Sequence, residues 1–167
     1  VNKNGIHLVT VATRRGTPQI QDPGINSLSK LNCITACIEA DRAGADEGIM
    51  LDIHGNVATC NSTNFFIVKN GEVWTSTGEF CLPGVTRKAI IDICQSCNIP
   101  VFQKDFSIMD VHSSNEAFVT GTFAGIIPAV EIDGQAISGG KRGELTFSLQ
   151  KYYSELLANL YPEKAIK

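Results

Sequence analysis

One motif at the start of a helix has residues suited to binding an anion. In the stretch CLPGVTRKAI, Gly84 comes directly before a helical pattern, and Thr86 contributes a hydroxyl to the first turn. A glycine here lets the chain turn so that the amides of Val85 and Thr86 point out of the helix end, where the helix dipole favours negative charge. The motif predicts a phosphate site, although the same residues also fit a plain entry turn to a helix.

A single lysine near the start of an earlier helix is the second candidate for chemistry. Lys30 lies in DPGINSLSKLNC, four residues after Asn26. If Asn26 caps the helix, Lys30 sits about one turn into it, and its side chain points back toward the helix N-terminus. Leu28 and Leu31 flank the lysine and would exclude water from its amine, which favours a nucleophile. A solvated surface lysine is the alternative.

Hydrophobic periodicity predicts the elements that position these residues in the first part of the chain. β-branched residues predict a strand over Gly5–Thr13. Apolar residues at helical spacing predict a helix over residues 28–43, capped by Asn26 or Ser27 and ended by Gly44. A strand, a turn and a second strand are expected to follow this helix.

Turn residues divide the rest of the chain into short strands and helices. Asn70-Gly71 and Asp133-Gly134 each predict a tight hairpin between strands. Helices are expected over residues 85–97 and 143–160, with a short helix or turn over 107–115. The predicted buried face of the first of these helices consists of Val85, Ala89, Ile90, Ile93 and Cys97. Strands outnumber helices, so the predicted class is α+β with a mixed or antiparallel, closed sheet.

Size and composition indicate one globular domain. The 167 residues, 43% of them hydrophobic, are enough for a single core. A net charge of −3 with interspersed signs argues against a nucleic-acid partner. No apolar run approaches the roughly 20 residues that span a bilayer, which argues against a membrane protein. The chain opens on a strand and has no initiator methionine, so we expect it to begin partway through a longer protein.

Six cysteines are expected to be reduced and mostly buried. Cys33 and Cys37 lie four apart, and Cys94 and Cys97 three apart, both pairs within helical patterns. Neither pair has the turns and glycines typical of a zinc site, so no metal is expected. Reduced thiols favour a reducing compartment such as the cytoplasm.

The motifs together resemble a known family. GADEGIMLD, the NFF strand, LPGVTR and a later TGT, in this order and spacing, are similar to the C-terminal domain of the class IV aminotransferases. These pyridoxal-phosphate enzymes include branched-chain and D-amino-acid aminotransferases and aminodeoxychorismate lyase. The resemblance covers nearly the whole chain. It implies that residues 1–167 form a cofactor-cradling pseudo-barrel domain, that a smaller N-terminal domain is absent from this chain, and that the protein dimerises.

The resemblance implies specific contacts to pyridoxal 5'-phosphate. The amide of Val85 and the amide and hydroxyl of Thr86 would hold the phosphate, Leu82 would shape the loop, and Thr122 would close the phosphate cup. Two other family positions have changed. Counting back from GADEG, the Schiff-base lysine falls on Asn26. Counting back from the NFF strand, the glutamate that holds a proton on the pyridine nitrogen falls on Thr59.

The altered residues leave several functions open. We expect transamination of an amino acid and keto acid pair, branched-chain-like, with Lys30 in place of the missing amine. Thr59 could donate its hydroxyl proton to an unprotonated pyridine nitrogen. Alternatives are a lyase similar to aminodeoxychorismate lyase, and a catalytically inactive descendant. Arg87, the arginine of the LPGVTR motif, is expected to face either a substrate carboxylate or solvent.

Overall fold

A computed structural model describes residues 5–162, in which β-branched and aromatic runs form strands and amphipathic runs form helices. The strands are β1 (Ile6–Thr10), β2 (Glu47–Leu51), β3 (Val57–Cys60), β4 (Asn64–Lys69), β5 (Glu72–Thr75), β6 (Val101–Gln103), β7 (Glu116–Gly121), β8 (Gly125–Ile132) and β9 (Gln135–Ala136). The helices are α1 (Leu31–Arg42), α2 (Val85–Ser96), α3 (Ile108–His112) and α4 (Glu144–Leu160). The predicted α+β class is confirmed.

All nine strands join one mixed sheet that curls on itself. The strand order is β3-β2-β1-β8-β7-β4-β5-β6, with β9 beside β8. Strand β1 runs parallel to both β2 and β8, whereas β7 is antiparallel to both of its neighbours, β4 and β8. The edge strand β3 meets the far end of the sheet, where Val57 N donates to Phe106 O at 2.9 Å and Ser76 Oγ donates to Ala58 O at 2.7 Å. These bonds complete the pseudo-barrel.

The core has one layer inside the curled sheet and a second layer outside it. Strand β4 shows why, because its successive side chains alternate between the two faces. Phe65 and Ile67 point into the inner cluster, whereas Phe66 lies in the outer cluster, where it stacks on Phe118 with ring centroids 4.9 Å apart. Residues of α2 and α4 cover this outer cluster. Both faces of β4 are therefore buried, which explains its continuous apolar sequence.

Both predicted hairpins are confirmed by their backbone angles. Asn70 and Gly71 have φ of 53° and 81°, and Asp133 and Gly134 have φ of 52° and 77°. Consecutive positive φ values match the twist of the flanking strands and favour Asn, Asp and Gly. Local turn chemistry therefore determines these two chain reversals.

The predicted start of α1 is wrong, and the apolar residues whose helical spacing predicts this helix do not form its buried face. The helix begins at Leu31, with Lys30 at the N-cap and no side-chain cap, and Asn26 and Ser27 lie in the preceding loop. Its buried residues are Ala36 and Ala40, which pack against the sheet. The larger apolar residues of the helix and its approach are exposed: Leu28, Leu31, Ile34 and Ile38.

Close packing against β2 explains this orientation of α1. A Cβ built on Gly48 would lie 2.7 Å from Val11 Cγ1 and 3.1 Å from Ala36 O. Only a glycine lets the small-residue face of the helix approach the strand this closely. The face that packs is therefore selected by size, and hydrophobicity alone predicts the opposite face.

Helix α2 also differs from its predicted face. It ends at Ser96, and Asn98 follows with a φ of 54°. Val85 and Cys97 are exposed, whereas Thr86 and Arg87 are buried with Ile90, Ile93 and Cys94. The first turn of the helix therefore has Thr86 and Arg87 on its buried side and Val85 on its exposed side.

Asp110 gives a prediction for the pH dependence of stability. Its carboxylate accepts hydrogen bonds from Lys69 Nζ at 2.8 Å and from Ser107, and the Lys69 bond is the largest cause that lowers its pKa from 3.8 to about 2. A depressed pKa in the folded state contributes stability above pH 3.8 that is lost as the pH falls toward 2. We expect the urea midpoint to fall less between about pH 5 and pH 3 in Asp110→Asn and Lys69→Met than in the wild type. Parallel curves for all three proteins would contradict this.

Candidate functional site

A cleft of about 560 Å³ lies where α1, the β3-β4 turn and the loop before α2 converge. Six residues have a predicted catalytic or cofactor-binding role, and four of them line the cleft, namely Lys30, Thr59, Leu82 and Thr122. Asn26 also lines it. Residues separated by almost a hundred positions in the chain therefore meet at one concave surface, as expected for a small-molecule site.

The two residues at the reactive end are in direct contact. Lys30 Nζ donates a hydrogen bond to Asn26 Oδ1 at 3.0 Å. The lysine amine therefore lies at the carboxamide of Asn26, the residue onto which the resemblance places the family's lysine. The prediction that Leu28 and Leu31 exclude water from this amine is wrong, because both leucines are exposed to solvent.

Thr59 is buried, and its hydroxyl already has a partner. Its Oγ1 donates to Thr63 O at 2.8 Å, and Thr63 Oγ1 donates in turn to Glu47 Oε2 at 2.6 Å. With its proton engaged, the Thr59 oxygen retains lone pairs but has no free donor in this conformation. The expected donation to a ring nitrogen requires the hydroxyl to rotate away from Thr63.

Glu47 is a residue that the sequence analysis missed. The acids near the end of α1 resemble a solvated helix end, yet Glu47 is buried and accepts hydrogen bonds from the backbone and side chain of Ser62 and from Thr63. A buried carboxylate with several donors fixes the β3-β4 turn that forms one wall of the cleft. Glu47 is the first residue of β2, a strand whose residues are all buried. Its position at the start of this strand was the signal that could have identified it as a buried residue.

The loop before α2 is held in place by the side chain of Asn64. Asn64 Nδ2 donates to Leu82 O at 3.0 Å, and a Cβ on Gly84 would overlap Asn64 Oδ1. Gly84 is the N-cap and provides no side-chain cap to the helix. Thr86 Oγ1 is buried without a hydrogen-bond partner among residues 5–162.

An uncapped helix start beside a buried, unpaired hydroxyl fits a phosphate group. Leu82 lines the cleft, whereas Val85 is exposed and neither Val85 nor Thr86 is part of the cleft wall. Thr122 is exposed at the end of β7 and lines both this cleft and an adjoining one of about 350 Å³. The structure thus places Leu82 and Thr122 on the same cleft, and α2 begins three residues after Leu82.

Arg87 faces neither the cleft nor solvent. Its side chain is buried, and Nη2 donates to Ser76 O at 2.7 Å and to Gln103 Oε1 at 3.0 Å. Burial lowers the pKa of this guanidinium. Both roles predicted for Arg87 are therefore wrong, and it ties α2 to the loop after β5 and to β6.

The comparison with protein families decides the membership of this chain. Residues 2–132 match the family described as amino-transferase class IV. The chain belongs to the class IV aminotransferases. Its fold agrees, because solved members share the curled mixed sheet and flanking helices.

This class IV aminotransferase chain is similar to proteins named as branched-chain-amino-acid aminotransferases or as aminotransferase-like. It is 40% identical over 155 residues to branched-chain-amino-acid aminotransferase-like protein 1 of Arabidopsis thaliana, covering 93% of this chain and 28% of the relative. It is 35% identical over 157 residues to a putative branched-chain-amino-acid aminotransferase of Methanocaldococcus jannaschii, covering 93% and 54%. The chain thus spans about half or less of the length of these relatives.

Solved structures of branched-chain aminotransferases are also similar to this chain. A branched-chain aminotransferase of Thermoproteus uzoniensis with norvaline superposes with a TM-score of 0.90 at 30% identity, covering 95% of this chain and 53% of that one. The branched-chain amino acid aminotransferase of Thermobaculum terrenum in its PLP-form superposes with a TM-score of 0.90 at 25% identity, covering 95% and 52%.

Other sequence-based expectations have mixed outcomes. Cys60, Cys81 and Cys94 are buried, but Cys37 and Cys97 are exposed, so the expectation that the thiols are mostly buried is only partly met. Burial raises the pKa of Cys94 to about 12. Within residues 5–162, all six cysteines are unpaired and no helix is long and apolar enough to cross a membrane.

Proposed function

We propose that residues 1–167 are the cofactor-cradling domain of a pyridoxal-phosphate-dependent aminotransferase that acts on an amino acid and keto acid pair, branched-chain-like. Family membership and the likeness to an enzyme solved in its PLP-form support the cofactor. The proposed protein has a further N-terminal domain and forms a homodimer, as the resemblance implies. Six unpaired cysteines favour the cytoplasm.

The phosphate would bind at the start of α2. The amides of Val85 and Thr86 and the buried Thr86 hydroxyl would donate to its oxygens, with Thr122 closing the opposite side. Leu82 shapes the loop through its carbonyl, which Asn64 holds. These donors are fixed before the anion arrives, so little ordering is required on binding.

The proposed role of Lys30 as the reactive amine rests on the 3.0 Å hydrogen bond between Lys30 Nζ and Asn26 Oδ1. When bound, the cofactor supplies an aldehyde that captures amines and a ring that accepts electrons. Lys30 would provide the amine and move a proton at Nζ, while Asn26 orients that amine by accepting a hydrogen bond. Thr59 would contact the ring nitrogen through its oxygen or, after rotating away from Thr63, through its hydroxyl proton.

Covalent trapping tests the role of Lys30. The full-length protein is incubated with pyridoxal 5'-phosphate, reduced with borohydride and digested, and the labelled peptide is identified by mass spectrometry. We expect a visible absorption band before reduction and the label on Lys30 afterwards. A label on another lysine, or no label, would remove Lys30 from the proposal.

Thr86→Val gives two effects of opposite sign. Removing a buried hydroxyl that lacks a partner is expected to raise the unfolding free energy of the cofactor-free protein by about 1 kcal/mol. Removing a donor to a charged phosphate is expected to weaken binding of inorganic phosphate and of pyridoxal 5'-phosphate by about 10-fold or more. Thermal melts and titrations measure both quantities.

Thr120→Val is the matched control for this prediction. Thr120 also has a buried Oγ1 without a partner among the described residues, but it has no assigned role in phosphate binding. We expect it to stabilise the protein similarly and to leave phosphate affinity unchanged. Equal loss of affinity in both variants would remove the specific role of Thr86.

A second candidate is cofactor binding without turnover, which the Thr59 hydrogen bond to Thr63 favours. Without a carboxylate at this position, the ring is a weaker electron acceptor. Incubation of the cofactor-loaded protein with branched-chain amino acids distinguishes the two. Keto acid formation from these amino acids supports the transferase, and its absence supports the second candidate. In a separate incubation with an amino acid whose side chain carries a leaving group, pyruvate release would indicate a lyase.

A further inference from the structure

Arg15 is a cation of the cleft that the proposed function does not use. Its side chain is half-buried, and it lines the main cleft together with Lys30 and Asn26. Among the described residues, the one other charged side chain on this wall is that of Asp46, whose Oδ2 accepts from His7 N at 2.8 Å. Two cations and one carboxylate make this part of the cleft favourable for an anion.

The Arg15 side chain is held by neutral partners. Nε donates to Phe80 O at 3.3 Å, and Nη1 donates to Cys33 Sγ at 2.7 Å. The ion pairs within residues 5–162 all involve other side chains. A guanidinium has five donors in a planar fork, so Arg15 keeps donors for a ligand.

The backbone on both sides of Arg15 is fixed as well. Arg15 N donates to Leu51 O at 2.8 Å. The Asn32 side chain binds both neighbours, because Nδ2 donates to Arg14 O at 2.8 Å and Oδ1 accepts from Gly16 N at 3.3 Å. A charged group positioned before its ligand binds loses little conformational entropy on binding.

We propose that Arg15 binds the carboxylate of the amino or keto acid in this cleft, an assignment that rests on the proposed function for the identity of the substrate. The guanidinium donors match the two oxygens of a carboxylate. Lys30 lines the same cleft, and its proposed role is proton transfer at the amino or keto end of the substrate. A charged partner in a half-buried site contributes more to affinity than one in open solvent.

The test uses the full-length protein loaded with pyridoxal 5'-phosphate. The titrated ligand is 4-methylvalerate, a branched carboxylate that cannot be transaminated. Calorimetric titration gives its Kd. We expect Arg15→Gln to raise the Kd about 10- to 100-fold and Arg15→Lys to raise it less. Arg14→Gln is the matched control, because the neighbouring side chain is exposed, and its Kd is expected to stay within about twofold of the wild type.

A neutral ligand distinguishes carboxylate recognition from a purely structural role. We expect 4-methylvaleramide to bind the wild type at least about 10-fold more weakly than the acid and to bind Arg15→Gln with the same affinity as the wild type. Equal binding of acid and amide by the wild type would overturn the assignment, even if Arg15→Gln fails to fold. So would an unchanged acid Kd in a folded Arg15→Gln.

Failure of the proposed function has a different signature. In that case the wild type shows no cofactor absorption after loading with pyridoxal 5'-phosphate. The acid and amide titrations on the cofactor-free protein still measure whether Arg15 recognises a carboxylate. Discrimination between acid and amide there supports the Arg15 assignment, and equal binding rejects it.

Discussion

Lys30→Ala is expected to abolish covalent attachment of pyridoxal 5'-phosphate to the full-length protein and to lower any amino-transfer rate by about 10²- to 10⁴-fold. The physical reason is that Lys30 Nζ is the amine hydrogen-bonded to Asn26 in the cleft, and a methyl group neither reacts with an aldehyde nor carries a proton. Absorption spectra, borohydride labelling and single-turnover kinetics measure the two losses.

Two further variants sharpen this expectation. Lys151 is an exposed lysine of α4, outside the cleft, so Lys151→Ala is expected to behave as the wild type. Asn26→Lys places an amine at the position onto which the resemblance maps the family's lysine, and it is expected to rescue labelling in the Lys30→Ala background. Retained labelling in Lys30→Ala, with the modified peptide elsewhere, would show that another lysine carries the cofactor.

Gly84→Ala is expected to have the second largest effect, on both stability and cofactor affinity. The added Cβ would overlap Asn64 Oδ1, so Asn64 must move and its bond to Leu82 O is strained or lost. Overpacking of this kind costs about 1–3 kcal/mol. Displacement of the loop also misplaces the helix-end amides, and we expect pyridoxal 5'-phosphate affinity to fall about 10- to 100-fold. Urea unfolding and fluorescence titration measure these changes.

A double-mutant cycle tests the stated cause. If the clash with Asn64 produces the effect, Gly84→Ala adds little when Asn64 is already alanine, because the smaller side chain leaves room for the new Cβ. Strict additivity of Gly84→Ala and Asn64→Ala would show that the glycine acts through some other contact. The comparison requires no assumption about which ligand binds.

Some parts of the candidate site could be predicted because their signals are local. Gly84 and Thr86 lie within three residues of a helix start, and the consequences of a glycine N-cap follow from helix geometry. Leu82 and Thr122 were found through the spacing of motifs that resemble the family, and both line the cleft. The fold followed in the same way from hairpin residues and alternating strands.

Other parts could not be predicted because they depend on distant residues. The burial of Glu47 depends on Ser62 and Thr63, and the position of Arg15 depends on Phe80, which is 65 residues away. Arg87 has the sequence context of a surface residue, yet Ser76 and Gln103 enclose it. No window of neighbouring residues contains these partners.

The sequence by itself determined the family, the α+β class, the two hairpins and the helix start that would receive a phosphate. Turn angles and helix ends depend on interactions within a few residues, so their chemistry is written in short motifs. The tertiary structure decided which face of α1 is buried, because the close approach of Ala36 to Gly48 selects small residues over larger apolar ones. It also decided that Lys30 meets Asn26 and that Arg15 lines the cleft beside Cys33, because side-chain partners are set by packing between distant segments.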